Sequence, residues 1–180
     1  MSRKRFATVW LGGCSGCHMS FLDQDERLLE LVAAADLVHS PVMDVKRYPE
    51  GVDVCLVEGA VANEEHLETL RAVRARTRIL VAFGDCAVTG NVTALRNCLG
   101  GAREVLDRAY LELADVTPRI PCEPGLVPPL LDRVAPLHAH VPVDRFLPGC
   151  PPSADAIHAV LLELLELPAG TPPAAAPRFG

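Results

Sequence analysis

The chain has 180 residues, 49% hydrophobic and 22% charged: enough for one domain with a sizeable core, and too apolar for global disorder. A formal net charge of −6 argues against a nucleic-acid binder, whose affinity comes largely from Lys and Arg on phosphates. No stretch reaches the roughly 18 apolar residues that a bilayer span requires, and seven cysteines, an odd number without secretory spacing, point to a reducing, intracellular compartment.

Residues 6–11 are a short β-rich apolar run bounded by Gly12-Gly13, which predicts a strand. With the basic start before it and Cys14 after it, this run imitates a lipoprotein signal, but it is shorter than a secretory apolar region. Ser20-Phe21-Leu22-Asp23 matches a helix-capping pattern, with Leu28, Leu29, Val32 and Ala33 following at helical spacing. Cys14-Ser15-Gly16-Cys17 therefore falls in the turn between a strand and a helix N-terminus, where backbone N–H groups favour negative charge. Strands are predicted over 37–43 and over 52–57, the latter ending at Glu58-Gly59, and a helix over 63–76 with an Asn63 cap. Arg71, Arg74, Arg76 and Arg78 read as the solvated face of that helix.

Residues 79–83 are a continuous apolar run of the kind that fills a parallel strand, followed at once by Gly84-Asp85-Cys86. Val105, Leu106, Ala109, Tyr110 and Leu113 give another helical stripe. Six prolines between 114 and 136 forbid long regular elements and predict an extended, ordered loop. A last strand over 141–147 belongs at an edge, because Pro142 lacks a ladder donor. Ser153 caps a final helix with Ile157, Val160, Leu161, Leu164 and Leu165 inside, and the tail over 168–180 reads as loose. The expected organisation is one α/β domain over 1–167.

Strands alternating with helices imply a parallel sheet with right-handed crossovers, whose post-strand loops share one edge. Cys14, Cys17, Cys86, Cys150 (in Pro148-Gly149-Cys150-Pro151-Pro152) and Glu58 all fall on that edge. Four thiolates meet the needs of an iron–sulfur cluster or a structural zinc. Spacing leaves both open, together with a redox pair or core cysteines. Cys55 reads as a core residue, and Cys122 as the substitute if one ligand is misassigned. His18 adjoins Cys17 and reads as a hydrogen-bonding neighbour of the site, a solvent-exposed residue or a core residue. His39, His66, His138, His140 and His158 share no metal spacing and read as structural.

In combination, the Cys-x-Gly-Cys turn, Val57-Glu58-Gly59, Gly84-Asp85-Cys86-Ala87 and Pro148-Gly149-Cys150-Pro151-Pro152 resemble the small subunit of [NiFe] hydrogenases. The stretch from Gly16 through Asp23 and the segment 84–97 resemble the soluble, NAD-reducing branch. The resemblance implies a flavodoxin-like domain holding one proximal [4Fe-4S] cluster through Cys14, Cys17, Cys86 and Cys150. It implies a separate large subunit bearing the Ni-Fe centre, and diaphorase subunits bearing FMN and NAD. This chain would relay electrons and do no bond chemistry, as part of a hydrogen:NAD+ oxidoreductase. Glu58 matches the family's Glu-Gly near the subunit contact, with a proton-path, docking or structural role. Gly13 stands where many members have Glu. Neither a twin-arginine leader nor a C-terminal region for two further clusters is present in the 180 residues, which implies a single cluster and a cytoplasmic home. The related complex I subunit has adjacent cysteines at its first ligand site, whereas here two residues separate Cys14 and Cys17. No flavin is expected on this chain, whose first post-strand turn is taken up by cysteines. Relatives linked to F420 or NADP, and a four-cysteine zinc interaction domain, are the alternative readings.

Overall fold

In the computed structural model residues 3–168 are described, so the expected tail lies outside the described residues except for Pro168. In chain order the elements are β1 (Arg5–Trp10), α1 (Gly16–Leu22), α2 (Glu26–Ala34), β2 (Asp36–His39), β3 (Val52–Glu58), β4 (Val61–Asn63), α3 (Glu64–Arg76) and β5 (Thr77–Phe83). There follow α4 (Asp85–Thr89), a 3-10 segment (Asn91–Leu99), α5 (Ala102–Asp107) continuing as a π-helical turn, β6 (Leu130–Ala135), β7 (Arg145–Leu147) and α6 (Ala154–Leu165).

Five strands form a parallel sheet in the order β2-β1-β3-β5-β7. Numbered among themselves, that is the flavodoxin-like order 2-1-3-4-5. The central strands are buried on both faces, which explains their unbroken apolar runs. Along β3, Val54 and Leu56 face a core shared with Phe6, Phe83, Leu31 of α2 and Ile157, Leu161 and Leu165 of α6. Cys55 and Val57 face the opposite core, with Leu70 and Val73 of α3. Each fully buried Leu, Ile or Phe contributes roughly 1.5–3 kcal/mol.

Two predicted caps hold: Asn63 Oδ1 accepts from His66 N at 2.7 Å, and Ser153 Oγ accepts from Ala156 N at 3.2 Å. Ser20 does not cap. The first helix starts earlier, at Gly16, and Ser20 Oγ donates instead to Pro152 O at 2.6 Å, tying α1 to the loop that carries Cys150. The helical run divides into α1 and α2 where Asp25 takes φ 51°. The second strand ends at His39 rather than at 43, because Pro41 lacks a donor for the ladder. The last strand is shorter than expected but does lie at the edge.

The Pro-rich segment contains a strand that the sequence does not announce. β6 pairs antiparallel with β4, and Asn97 both donates to Val134 O and accepts from Val134 N at 2.8 Å. β6 fills the proline-free stretch between Pro129 and Pro136, where every residue keeps its N–H for pairing with a distant segment. The arginine cluster is also more than a solvated face. Arg78 lies in β5, and Arg74 pairs with Asp144 at 2.5 Å and donates to Thr77 O and Arg78 O. The stripe around α5 is helical but only partly covered: Val105 and Leu106 are half-buried, while Leu113 is 61% exposed.

Candidate metal centre

Parallel strands end on one rim: the segments after β1, β5 and β7 place Cys14 and Cys17, Cys86, and Cys150 around a single cavity of about 80 Å³, and the last residue of β3 places Glu58 there. Asp85 lines it as well. That volume is several times the roughly 10–15 Å³ that one water needs, so a multi-atom group fits.

Backbone bonds lace the loops in pairs. Gly12 N donates to Ala60 O at 3.0 Å and Ala60 N returns a bond to Gly12 O at 2.8 Å, which fixes the turn bearing Cys14 against the end of β3. Gly59, at φ +92°, lets the two backbones meet: a Cβ there would stand 2.9 Å from Gly12. On the other side Gly84 N donates to Leu147 O at 2.8 Å and Asp85 N to Gly149 O at 2.9 Å, while Asp85 Oδ1 accepts from Gly149 N at 2.7 Å. Gly84 has φ +82°, and a Cβ on it would come within 2.2 Å of Cys17 Sγ. Gly84 thus leaves room for the Cys17 sulfur at the cavity wall.

The cavity wall is graded in exposure. Cys17 is buried, Cys86 is half-buried, and Cys14 and Cys150 are exposed. Burial pushes the Cys17 thiol up to about 12, and the negative charges of Glu58, Cys86, Cys14 and Cys150 push the same way. Four thiolates in such a space repel one another, and a cation-rich core is what would neutralise them.

Glu58 is buried at 2% exposure beneath the site. Its Oε2 accepts from His18 N at 2.9 Å and also meets His18 Nδ1. His18 is buried too, edge-on to Phe83, and its Nε2 has no hydrogen-bond partner among the described residues. Asn91 and Asp85 take part in the site although sequence reasoning assigned them no role. Asn91 Nδ2 lies 3.5 Å from Cys150 Sγ. The Gly90-Asn91 pair is a turn signal and marked the bend, but not what the amide would reach.

The remaining cysteines stand apart. Cys55 is in the core, its thiol pushed up to about 12 by burial, while Cys98 and Cys122 are exposed and do not line the cavity. The other histidines serve local structure where they bond: His66 accepts from Ala62 N, His39 meets Thr8 O, and His158 meets Gln24.

Fold and site together define a flavodoxin-like α/β domain with a four-cysteine rim. Residues 14–164 match the family described as NADH ubiquinone oxidoreductase, 20 Kd subunit, and the chain belongs to that family. Within it, the resemblance to hydrogenase small subunits is borne out. The chain is 42% identical to the delta subunit of the NAD-reducing hydrogenase HoxS of Cupriavidus necator, over 90% of this chain and 78% of that one. It is 39% identical to a subunit of the F420-non-reducing hydrogenase of Methanothermobacter marburgensis, over 90% of this chain, and spans about half of that relative, 53%. A crystal structure of an NAD+-reducing [NiFe]-hydrogenase in the H2-reduced state contains a chain that superposes with a TM-score of 0.87 at 42% identity. The match covers 95% of this chain and 96% of that one. No helix among the described residues is long and apolar enough to cross a membrane.

Proposed function

We propose that this chain is the electron-transfer small subunit of a cytoplasmic, NAD-linked [NiFe] hydrogenase, with Cys14, Cys17, Cys86 and Cys150 as ligands of one [4Fe-4S] cluster. The observation that carries the reading is the meeting of four cysteines from three post-strand loops at one cavity. When bound, such a cluster supplies reversible one-electron carriage. The chain's own part is to hold four thiolates at the carboxyl rim, leave room for the Cys17 sulfur at Gly84, and shape the local charge through Glu58 and Asp85.

A single zinc ion fits less well. Zn–S bonds of about 2.3 Å would draw four sulfurs tightly together, whereas the four cysteines line a cavity of about 80 Å³, room for several atoms. The partners we propose are a large subunit bearing the Ni-Fe centre and diaphorase subunits bearing FMN and NAD. Exposed Val92, Leu95 and Leu99, directly beyond the Cys86 helix, suit a covering partner. NAD linkage is favoured because the NAD+-reducing structure matches across nearly the full length of both chains. A cytoplasmic setting suits seven cysteines that are all free.

The test is anaerobic purification of the full chain, with metal analysis and electron paramagnetic resonance. We expect iron with a reducible signal, and loss of at least most of that iron in Cys86→Ser and Cys150→Ser. A colourless zinc protein, or iron unaffected by either change, would overturn the ligand set.

A further inference from the structure

Asn91 opens the 3-10 segment after α4 and directs its side-chain amide at Cys150, with Nδ2 3.5 Å from Sγ. Its placement is built into the turn. Gly90 has φ +88° and Asn91 φ +33°, a left-handed bend that Asn tolerates better than most residues. Asn91 N donates to Thr89 Oγ1 at 3.3 Å, and Thr89 Oγ1 donates to Asp85 O at 2.9 Å, so the bend is braced by the helix that carries Cys86. Of the amide's two ends, the NH2 suits a sulfur acceptor, while the carbonyl oxygen would be repelled by it.

We propose that Asn91 tunes the redox centre: its N–H donates to the Cys150 sulfur and stabilises the negative charge that this sulfur shares when the site takes up one electron. The inference rests on Cys150 being an iron–sulfur ligand, as proposed above. Uptake of the electron breaks no bond; the N–H···S contact strengthens as charge on the sulfur grows, which favours the reduced form and raises the potential. Glu58 and Asp85, on other parts of the same wall, act in the opposite sense, because a carboxylate disfavours added negative charge nearby. Asn91 is thus a neutral donor set against two acids.

The test titrates the anaerobically purified full chain with dithionite as electron donor, follows the reduced signal by electron paramagnetic resonance, and measures iron content in parallel. Asn91→Gly removes the amide and relaxes the positive φ. We expect it to keep its iron while the reduced-to-oxidised ratio at a fixed potential falls about fivefold, the size of one net hydrogen bond. Asn91→Asp, nearly isosteric, should lower the ratio further. A wild-type midpoint in both variants at full iron loading would overturn the inference. So would loss of iron from Asn91→Gly, which would assign the amide to retaining the ligand rather than to tuning it. Iron missing from the wild-type chain would overturn the ligand reading and this inference together, whereas iron present with an unmoved midpoint overturns this inference alone.

Discussion

Glu58 sits at the end of β3, where a family resemblance suggested a proton path or a subunit contact. Its burial and bonding give it a different first task. One carboxyl oxygen accepts from the main chain of His18 and meets the imidazole, so it anchors the first turn of α1, which carries Cys17. Glu58→Ala would leave the His18 N–H unpaired in a buried site, at a cost of about 1–3 kcal/mol. Urea denaturation of the metal-free chain should show that loss, with Glu58→Gln recovering part of it because an amide oxygen still accepts from His18 N. Equal stability of Glu58→Ala and the native chain would remove the anchoring role. Nothing in the local pattern Val57-Glu58-Gly59 signals this pair, because His18 lies 40 positions away. Cys14 and Cys17 announce themselves through short spacing, whereas the acid behind them is visible only once β1 and β3 lie side by side.

Among the elements, α6 is the one whose start and buried face were both legible. Ser153 accepts from Ala156 N, Ile157, Leu161 and Leu165 recur at helical spacing into the core, and Glu166 ends the helix in a left-handed conformation. Ser153→Ala should cost about 1 kcal/mol. Its thermal midpoint should fall while any bound iron is retained, since the cap lies outside the ligand set; an unchanged midpoint would mean the cap contributes nothing. The same kind of signal misled at Ser20, where a Ser followed three residues later by an acid looks like a cap. That pattern is a statement about free N–H groups, and in α1 those groups belong to residues nearer Gly16, so the Ser20 hydroxyl is left to bond Pro152. β6 was missed for the complementary reason. Proline density describes the segment's own backbone and is silent on β4 and Asn97, which supply its partners.

Taken as a whole, the molecule should be acid-labile. His66, His140 and His158 are each held below the ordinary 6.5, chiefly because burial disfavours the charged ring; Arg71 near His140 and Arg27 near His158 act in the same direction. At Asp144 burial pushes the carboxyl up, but the Leu80 N–H and the Arg74 guanidinium outweigh it and hold the group below 3.8. In both cases the unfolded chain binds protons more readily than the folded one. Stability is therefore complete above 6.5 for the histidines and declines as pH falls below it, with Asp144 adding a further loss below 3.8. The urea midpoint of the metal-free chain should drop between about pH 7.5 and about pH 5. A midpoint that held or rose across that interval would contradict these assignments.

Periodicity and turn chemistry report what each stretch of chain does to itself, and here they sufficed for the central parallel strands, the Asn63 and Ser153 caps, and a common rim carrying Cys14, Cys17, Cys86 and Cys150. The rim follows from alternation alone, since parallel strands joined by right-handed crossovers bring their following loops to one edge. What needed the folded chain were pairings between distant segments: Glu58 with His18, β4 with β6, Ser20 with Pro152, and the Asn91 amide with the Cys150 sulfur. Those contacts depend on distances and directions between side chains on different loops, and such quantities exist only after the sheet has set the loops beside one another.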